Sequence, residues 1–256
     1  MVKHMHLTTQ GIVLREVNYK ESDKILTVLT RDLGKLTVKA RACRRKNSPL
    51  AAASQLLVYS ELTLFEYRDY WSMDQGDSLE QFWGVRQDVE KLALGSYFAE
   101  VMETVAEEGR PDPALLSLIL NSLYALDKLS KPLPLVKAAY ELKLLSLVGY
   151  EPMLDACAVC GVPEPEEPRL HLREGVLHCA RCRGGVGDGV SMPLDGPALA
   201  AMRHVVMGDP KRLFSFKLDV PSQKKMSDVC EAFLLTQLER GFGTLDFYKQ
   251  LSAPQP

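Results

Sequence analysis

The chain has 256 residues, 46% of them hydrophobic and 25% charged, and a formal net charge of −2. That length suits one large domain or two to three small ones with a sizeable core. The near-neutral charge excludes a global drive towards nucleic acid, so any such affinity must come from a local patch.

No stretch of about eighteen apolar residues exists and no apolar run follows a basic start, so neither a membrane span nor a secretory leader is expected. The six cysteines fit a reducing cytoplasm: four are grouped like ligands, while Cys43 and Cys230 stand alone in sequence.

Residues 1 to about 80 read as β. His6 to Glu16 alternates, with Thr8, Gln10, Ile12 and Leu14 on one side, and Lys24 to Thr30 is a second run. Asp32-Leu-Gly34-Lys signals a turn, after which Lys35 to Arg41 alternates through Leu36, Val38 and Ala40. Leu56 to Tyr67 is a fourth run and Tyr70 to Met73 a short fifth. Five strands with turns near every ten residues suggest a small closed or partly open barrel. The five-stranded OB-fold is the commonest nucleic-acid-binding version of such a barrel.

From about Gln81 the period becomes helical. Leu94, Phe98, Val101, Met102 and Val105 form one stripe, ended by Gly109 and Pro111. Asp112 and Pro113 read as an N-cap with proline at the first helical position, and Leu115, Leu118, Ile119, Ser122, Leu126 and Leu129 continue that helix. Leu135, Ala138, Leu142 and Leu145 mark a third, stopped by Gly149 and Pro152. Pro197 to Met207 and Ser222 to Arg240 supply two more, the latter with Met226, Val229, Cys230, Phe233 and Gln237 on one face. The last few residues are expected to fray.

Between these helices stand two Cys-x-x-Cys hooks, Cys157-Ala-Val-Cys160 and Cys179-Ala-Arg-Cys182, eighteen residues apart. The spacing predicts one structural zinc: each hook offers two thiolates from one tight turn, and four thiolates leave no position for catalytic water. Disulfides or a redox pair are the other readings of four cysteines, and His171 or His178 could stand in for a ligand, although four thiolates make both bystanders. Gly161 and Gly184 follow the hooks where turns tolerate positive φ. Arg169 to Arg173 and Gly175 to His178 read as two short strands closing the knuckle, and Pro163 to Pro168 as a solvated loop. The expected organisation is therefore α+β and multidomain: an OB-fold barrel over residues 1–80, then a helical domain over 81–256 with the knuckle inserted at about 151–190.

The chain lacks a phosphate loop, a His-Glu-x-x-His helix and a Gly-x-Ser-x-Gly elbow. The run Gly184 to Gly189 is glycine-rich but has no Lys-Ser/Thr end, and reads as a flexible loop. The positive signal lies between Arg31 and Lys46, where seven basic residues face one acid, Asp32. Lys35, Lys39 and Arg41 fall on one face of the third strand and Leu36, Val38 and Ala40 on the other. Arg44, Arg45 and Lys46 extend the patch into a loop. Such a stripe suits backbone phosphates, with Tyr19, Tyr59 and Phe65 as candidates for base stacking. Against this stands the bland reading of a solvated face and of core aromatics.

The order Gly11-Ile-Val-Leu-Arg15, Glu21-Ser-Asp23, Leu29-Thr30, Gly34-Lys35 and Lys39-Ala-Arg-Ala-Cys-Arg-Arg-Lys-Asn-Ser-Pro-Leu50 resembles the bacterial recombination-mediator family RecO over the whole chain. Ala40 departs from the glycine of many relatives, and Ala42-Cys43 looks inserted. The resemblance implies a non-enzymatic, cytoplasmic and nucleoid-associated DNA repair protein. Such proteins bind single- and double-stranded DNA, anneal strands coated by single-stranded DNA-binding protein, help load recombinase and work with RecR. Lys35, Lys39, Arg41, Arg44, Arg45 and Lys46 are the expected DNA contacts. Lys211, Arg212, Lys217, Lys224 and Lys225 border the Ser222–Arg240 helix, whose apolar stripe could leave a groove beside the preceding helix, and are the expected seat of the acidic C-terminal tail of single-stranded DNA-binding protein, against the bland reading that they solvate a surface loop. A zinc-ribbon regulator and a zinc-ribbon nuclease are the alternatives; the nuclease would need an open metal site or clustered carboxylates.

Overall fold

The computed structural model describes residues 5–67 and 70–252; the expected fraying of the last few residues lies outside them. Strand gives way to helix after residue 80, but compactness divides the chain elsewhere. One unit comprises residues 1–128 with 242–256, and the other residues 129–241.

The first unit is built on a closed barrel of β1 (Met5–Tyr19), β2 (Asp23–Thr30), β3 (Gly34–Ala40), β4 (Tyr59–Tyr67) and β5 (Tyr70–Glu80), in the order β1-β2-β3-β5-β4. Only β3 and β5 run parallel among these neighbours. Val13, Leu26, Val28, Leu36, Val38, Leu62, Leu64 and Met73 fill it. Alternation in β3 follows the expected period, because that strand shows only one face to the core, whereas β2 ends in three buried residues, Val28 to Thr30.

In β1 the alternation breaks down. Gly11 to Leu14 are all buried, Thr8 is exposed and Gln10 half-buried. Val13 joins the barrel core, while Ile12 and Leu14 on the opposite face are covered because α2 (Val89–Val105) packs on this strand. β4 starts at Tyr59 rather than Leu56, since Leu57 has a left-handed φ of 62°. β5 continues past Met73 to Glu80, its polar run carried by pairing with β4 out to Tyr59↔Glu80. Gly34 has φ 66°, and a Cβ there would strike the Arg110 carbonyl oxygen, so both turn shape and close approach demand glycine.

Helices α1 (Trp83–Arg86), α2, α3 (Pro113–Lys128) and α7 (Gly243–Ser252) complete this unit. Asp112 caps α3 as expected, its carboxylate accepting from the Ala114 and Leu115 N–H groups at 2.9 and 3.1 Å. Leu129 lies beyond α3 and is exposed. α7, which carries no strong sequence signal, lies against α2 through buried Leu245 and Tyr248.

The second unit contains α4 (Leu133–Leu147), a three-stranded sheet of β6 (Pro168–His171), β7 (Val176–Cys179) and β8 (Ser191–Pro193) in the order β7-β6-β8, then α5 (Gly196–Met207) and α6 (Val220–Gln237). α4 is not the one-sided helix its stripe suggests: Leu135 to Leu142 are buried without a break. It even buries a charge. Lys137 Nζ lies 2.9 Å from Glu141 and 2.8 Å from Glu231 of α6. Burial alone would pull the ammonium down, but the two carboxylates outweigh it and raise the pKa, so the group stays charged.

Candidate metal centre and nucleic-acid interface

The sulfurs of Cys157, Cys160, Cys179 and Cys182 lie within 4.8 Å of one another, and none of the six cysteines is in a disulfide. A tetrahedron with metal–sulfur bonds of about 2.3 Å has edges of about 3.8 Å; Cys160 and Cys179 Sγ stand 3.7 Å apart. Local structure fixes the hooks. The Ala158 N–H donates to Leu177 O at 2.8 Å, tying the first hook to β7, and the Gly161 N–H closes the turn onto Cys157 O at 2.8 Å. Gly161 has the expected positive φ of 72°. Gly184 does not, because the second hook is a 3-10 turn over Ala180–Gly185. Gly185 is the glycine that matters there: its Cβ would fall 2.6 Å from a Val159 methyl of the first hook.

The thiols of Cys157, Cys179 and Cys182 differ in how readily they ionise. Burial raises the Cys157 thiol, yet N–H groups of Cys160, Cys179 and Val159 outweigh that and bring it to about 6. Burial, then neighbouring thiols, push Cys182 up to about 12 and raise Cys179 as well. A dication bound among these sulfurs would favour the thiolate forms of Cys179 and Cys182, which burial and their neighbours otherwise oppose. The donor set and its spacing fit a closed, tetrahedral metal site.

Both histidines stay outside the cluster. His178 bonds Cys179 O and Ser191 Oγ at 2.8 and 2.9 Å, while His171 Nδ1 accepts from the Glu174 N–H. Burial lowers the His178 pKa. The two expected strands are present, with β8 added to them. The solvated loop is exposed apart from Pro165 and Pro168, and Arg203 of α5 holds this region through Leu154 O, Asp155 O and Glu164. The glycine run is held too, the Arg183 guanidinium donating to Gly187 O and Gly189 O at 3.1 and 2.6 Å.

On the barrel, folding sorts the six expected cations into two groups. Lys35 is half-buried and donates to Glu103 O at 2.7 Å, at the carbonyl end of α2. Lys39 forms an ion pair with Asp23 at 3.3 Å and lies 5.0 Å from the Tyr19 ring centroid. Arg41, Arg44, Arg45 and Lys46 are exposed. Arg41 donates to the Tyr70 hydroxyl at 3.4 Å, and Arg44 to Glu21 O at 3.4 Å.

The loop that carries them is not loose. Cys43, Leu50 and Ala53 plug it into the barrel core. The Ala42 N–H donates to Asp23 at 2.8 Å and the Arg44 N–H to Ser22 O at 3.0 Å, which joins it to the β1–β2 turn. Those N–H and Lys39 contacts lower the Asp23 pKa, the Ala42 bond being the largest cause. Asp23 is the partner that counting charges along residues 31–46 misses. Among the stacking candidates, Tyr19 is 42% exposed, Phe65 is half-buried against His6 with ring centroids 4.7 Å apart, and the Tyr59 hydroxyl is turned to Gln10 at 2.8 Å.

In the second basic stretch Lys211, Arg212 and Lys217 are exposed, whereas Lys224 pairs with Asp228 at 2.8 Å and Lys225 with Asp195 at 3.0 Å. The apolar stripe expected to leave a groove beside the preceding helix is buried: Met226, Val229, Cys230 and Phe233 are at most 1% exposed, because α6 packs on both α4 and α5.

With this geometry in place, the similarities to known proteins can be read. The family description "Recombination protein O N terminal" fits residues 5–82, and "Recombination protein O C terminal" fits residues 86–246. The DNA repair protein RecO of Acetivibrio thermocellus is 32% identical over 247 residues, covering 96% of this chain and 97% of that one. The protein of the same name from Thermoanaerobacter sp. strain X514 is 31% identical over 245 residues, 96% and 98% of the two chains. That from Alkaliphilus metalliredigens is 29% identical over 248 residues, 96% and 100%.

Proposed function

The chain belongs to the RecO family of DNA repair proteins, and from that premise we propose that it is a recombination mediator that rearranges DNA without making or breaking a covalent bond. It binds single- and double-stranded DNA through the barrel of residues 1–80, anneals complementary strands, and helps load recombinase onto DNA coated by single-stranded DNA-binding protein, at the nucleoid and together with RecR. The observation that carries this is the anchored loop presenting Arg41, Arg44, Arg45 and Lys46 to solvent in a chain of net charge −2. Two phosphate backbones repel; cations that touch both lower that repulsion and let pairing proceed. Lys39, held by Asp23, positions the loop base and the Tyr19 ring, while Lys35 serves the barrel–α2 junction more than the DNA.

The ion in the knuckle is one structural zinc held by Cys157, Cys160, Cys179 and Cys182. It supplies folding energy to its surroundings, since all four positions are taken by protein. A nuclease would need an open position or clustered carboxylates, and a regulator would show base preference. The exposed trio Lys211, Arg212 and Lys217, bordered by Lys224 and Lys225, is the proposed seat of the acidic tail, with charge as the main attraction because the apolar stripe of α6 is buried. A labelled tail peptide should then lose binding in Lys211→Glu/Arg212→Glu.

The test of the main reading is annealing of two complementary oligonucleotides without nucleotide. The protein should accelerate it, and Arg44→Glu/Arg45→Glu should not. No acceleration by the wild-type protein would overturn the annealing role.

A further inference from the structure

Close to the exposed arginines, the barrel carries a cavity of about 660 Å³ between the start of β1, the hairpin of β4 and β5 and the 41–50 loop. Its lining is graded. Leu50 and Met73, 7% and 3% exposed, are shared with the barrel core and make an apolar floor. Phe65 and His6 stand together as a ring wall, centroids 4.7 Å apart and tilted by 45°. Tyr70 and Arg41 form the rim, hydroxyl to guanidinium 3.4 Å. Ser72 and Asp74 add polar groups at the edge.

A flat, apolar-faced and polar-edged occupant fits this grading, and the volume lies in the range of pockets that take small ligands. The same loop that supplies Leu50 and Arg41 carries Arg44, Arg45 and Lys46, so the occupant is tied to a negative chain. Those features together describe one residue of a nucleic acid. We propose that this groove seats an unstacked nucleobase of single-stranded DNA, with Phe65 and Tyr70 as the stacking faces and Arg41 at the adjoining phosphate. A base inside a duplex already has both faces stacked and cannot enter, so the groove distinguishes single strands from double strands where the basic loop does not. The proposal rests on the DNA-binding reading above and gives it a strand preference. It also adds His6 and Tyr70, which no sequence pattern marks.

The test compares three probes of equal length at one salt concentration: a labelled mixed-sequence single strand, the same strand with abasic sites throughout, and the duplex. With the wild-type protein the abasic strand should bind about tenfold more weakly than the ordinary one. Phe65→Ala/Tyr70→Ala should lose a similar factor on the ordinary strand and at most the small share owed to freeing Arg41 on the other two, and Tyr70→Phe, which keeps the ring but also frees Arg41, should lose no more than that share on any probe. Equal wild-type affinity for ordinary and abasic strands overturns the proposal, and needs no variant to fold. So does a folded Phe65→Ala/Tyr70→Ala protein with undiminished affinity for the ordinary strand, a result that leaves the groove to an apolar peptide side chain. Failure of the parent reading looks different: Arg44→Glu/Arg45→Glu would then bind all three probes as well as wild type does.

Discussion

The cysteine knuckle and the basic loop of the barrel are both short, turn-rich stretches marked by one residue type, yet sequence spacing means different things in them. In the knuckle, spacing is nearly the whole site. Coordination needs donors of one kind at one distance, and two hooks on facing turns deliver them. In the loop, a count of cations along the chain does not show which of them are already partnered, because acids and carbonyls arrive from elsewhere in the fold. Lys39 meets Asp23 and Lys35 meets Glu103 O, leaving Arg31, Arg41, Arg44, Arg45 and Lys46 exposed to solvent. A closed site is legible as soon as its ligands are; an open one depends on what else folds against it.

The largest effect that would break this comparison is in the knuckle. Cys179→Ser removes a buried ligand, so elemental analysis should find stoichiometric zinc lost and melting of the second unit markedly lowered. The salt dependence of DNA binding should stay as in wild type, since the loop's cations are untouched. Zinc retained at full occupancy in that variant would show that the four-thiolate account is wrong.

Next comes the loop's anchor. Cys43 is 3% exposed among apolar side chains. Cys43→Ser places a hydroxyl there with little to bond and should cost about 1–3 kcal/mol by denaturant unfolding, with DNA affinity falling as the loop loosens.

Lys35→Met sharpens the contrast from the other side. The variant should lose about 0.3–1 kcal/mol of stability at the end of α2, while its DNA affinity stays within about twofold of wild type and its salt slope is unchanged.

The smallest effect is one of pH. The folded-state pKa of Asp23 is lowered, chiefly by the Ala42 N–H and also by Lys39. Its contribution is therefore present above the ordinary carboxylate value of about 3.9 and is lost as pH falls through the lower folded value. Amide exchange of Ala42 should quicken only below about pH 4, and in Asp23→Ala it should be fast at neutral pH as well.

These residues also show why some of the fold is legible in the sequence and some is not. β3 can be read because it buries one face only. β1 misleads because α2 covers its second face, turning alternation into the unbroken run Gly11–Leu14. The pattern cuts β5 short because Asp74 to Ser78 look like a turn, and only pairing with β4 makes them strand. α4 hides its all-round burial because Lys137 and Glu141 read as a polar face until Glu231 of α6 is placed beside them. The cluster of four cysteines is fully legible. The groove of His6, Phe65 and Tyr70 is not, since its walls come from three strands whose neighbourhood exists only after barrel closure.

If the loop holds DNA by phosphate neutralisation, binding must follow salt concentration. Affinity for unrelated single-stranded sequences should fall linearly with log salt at a sequence-independent slope. In Arg44→Glu/Arg45→Glu that slope should flatten by about 0.7 for each phosphate no longer neutralised, with weaker binding to every sequence. An unchanged slope and affinity in that variant would contradict the claim and move the binding surface off the loop.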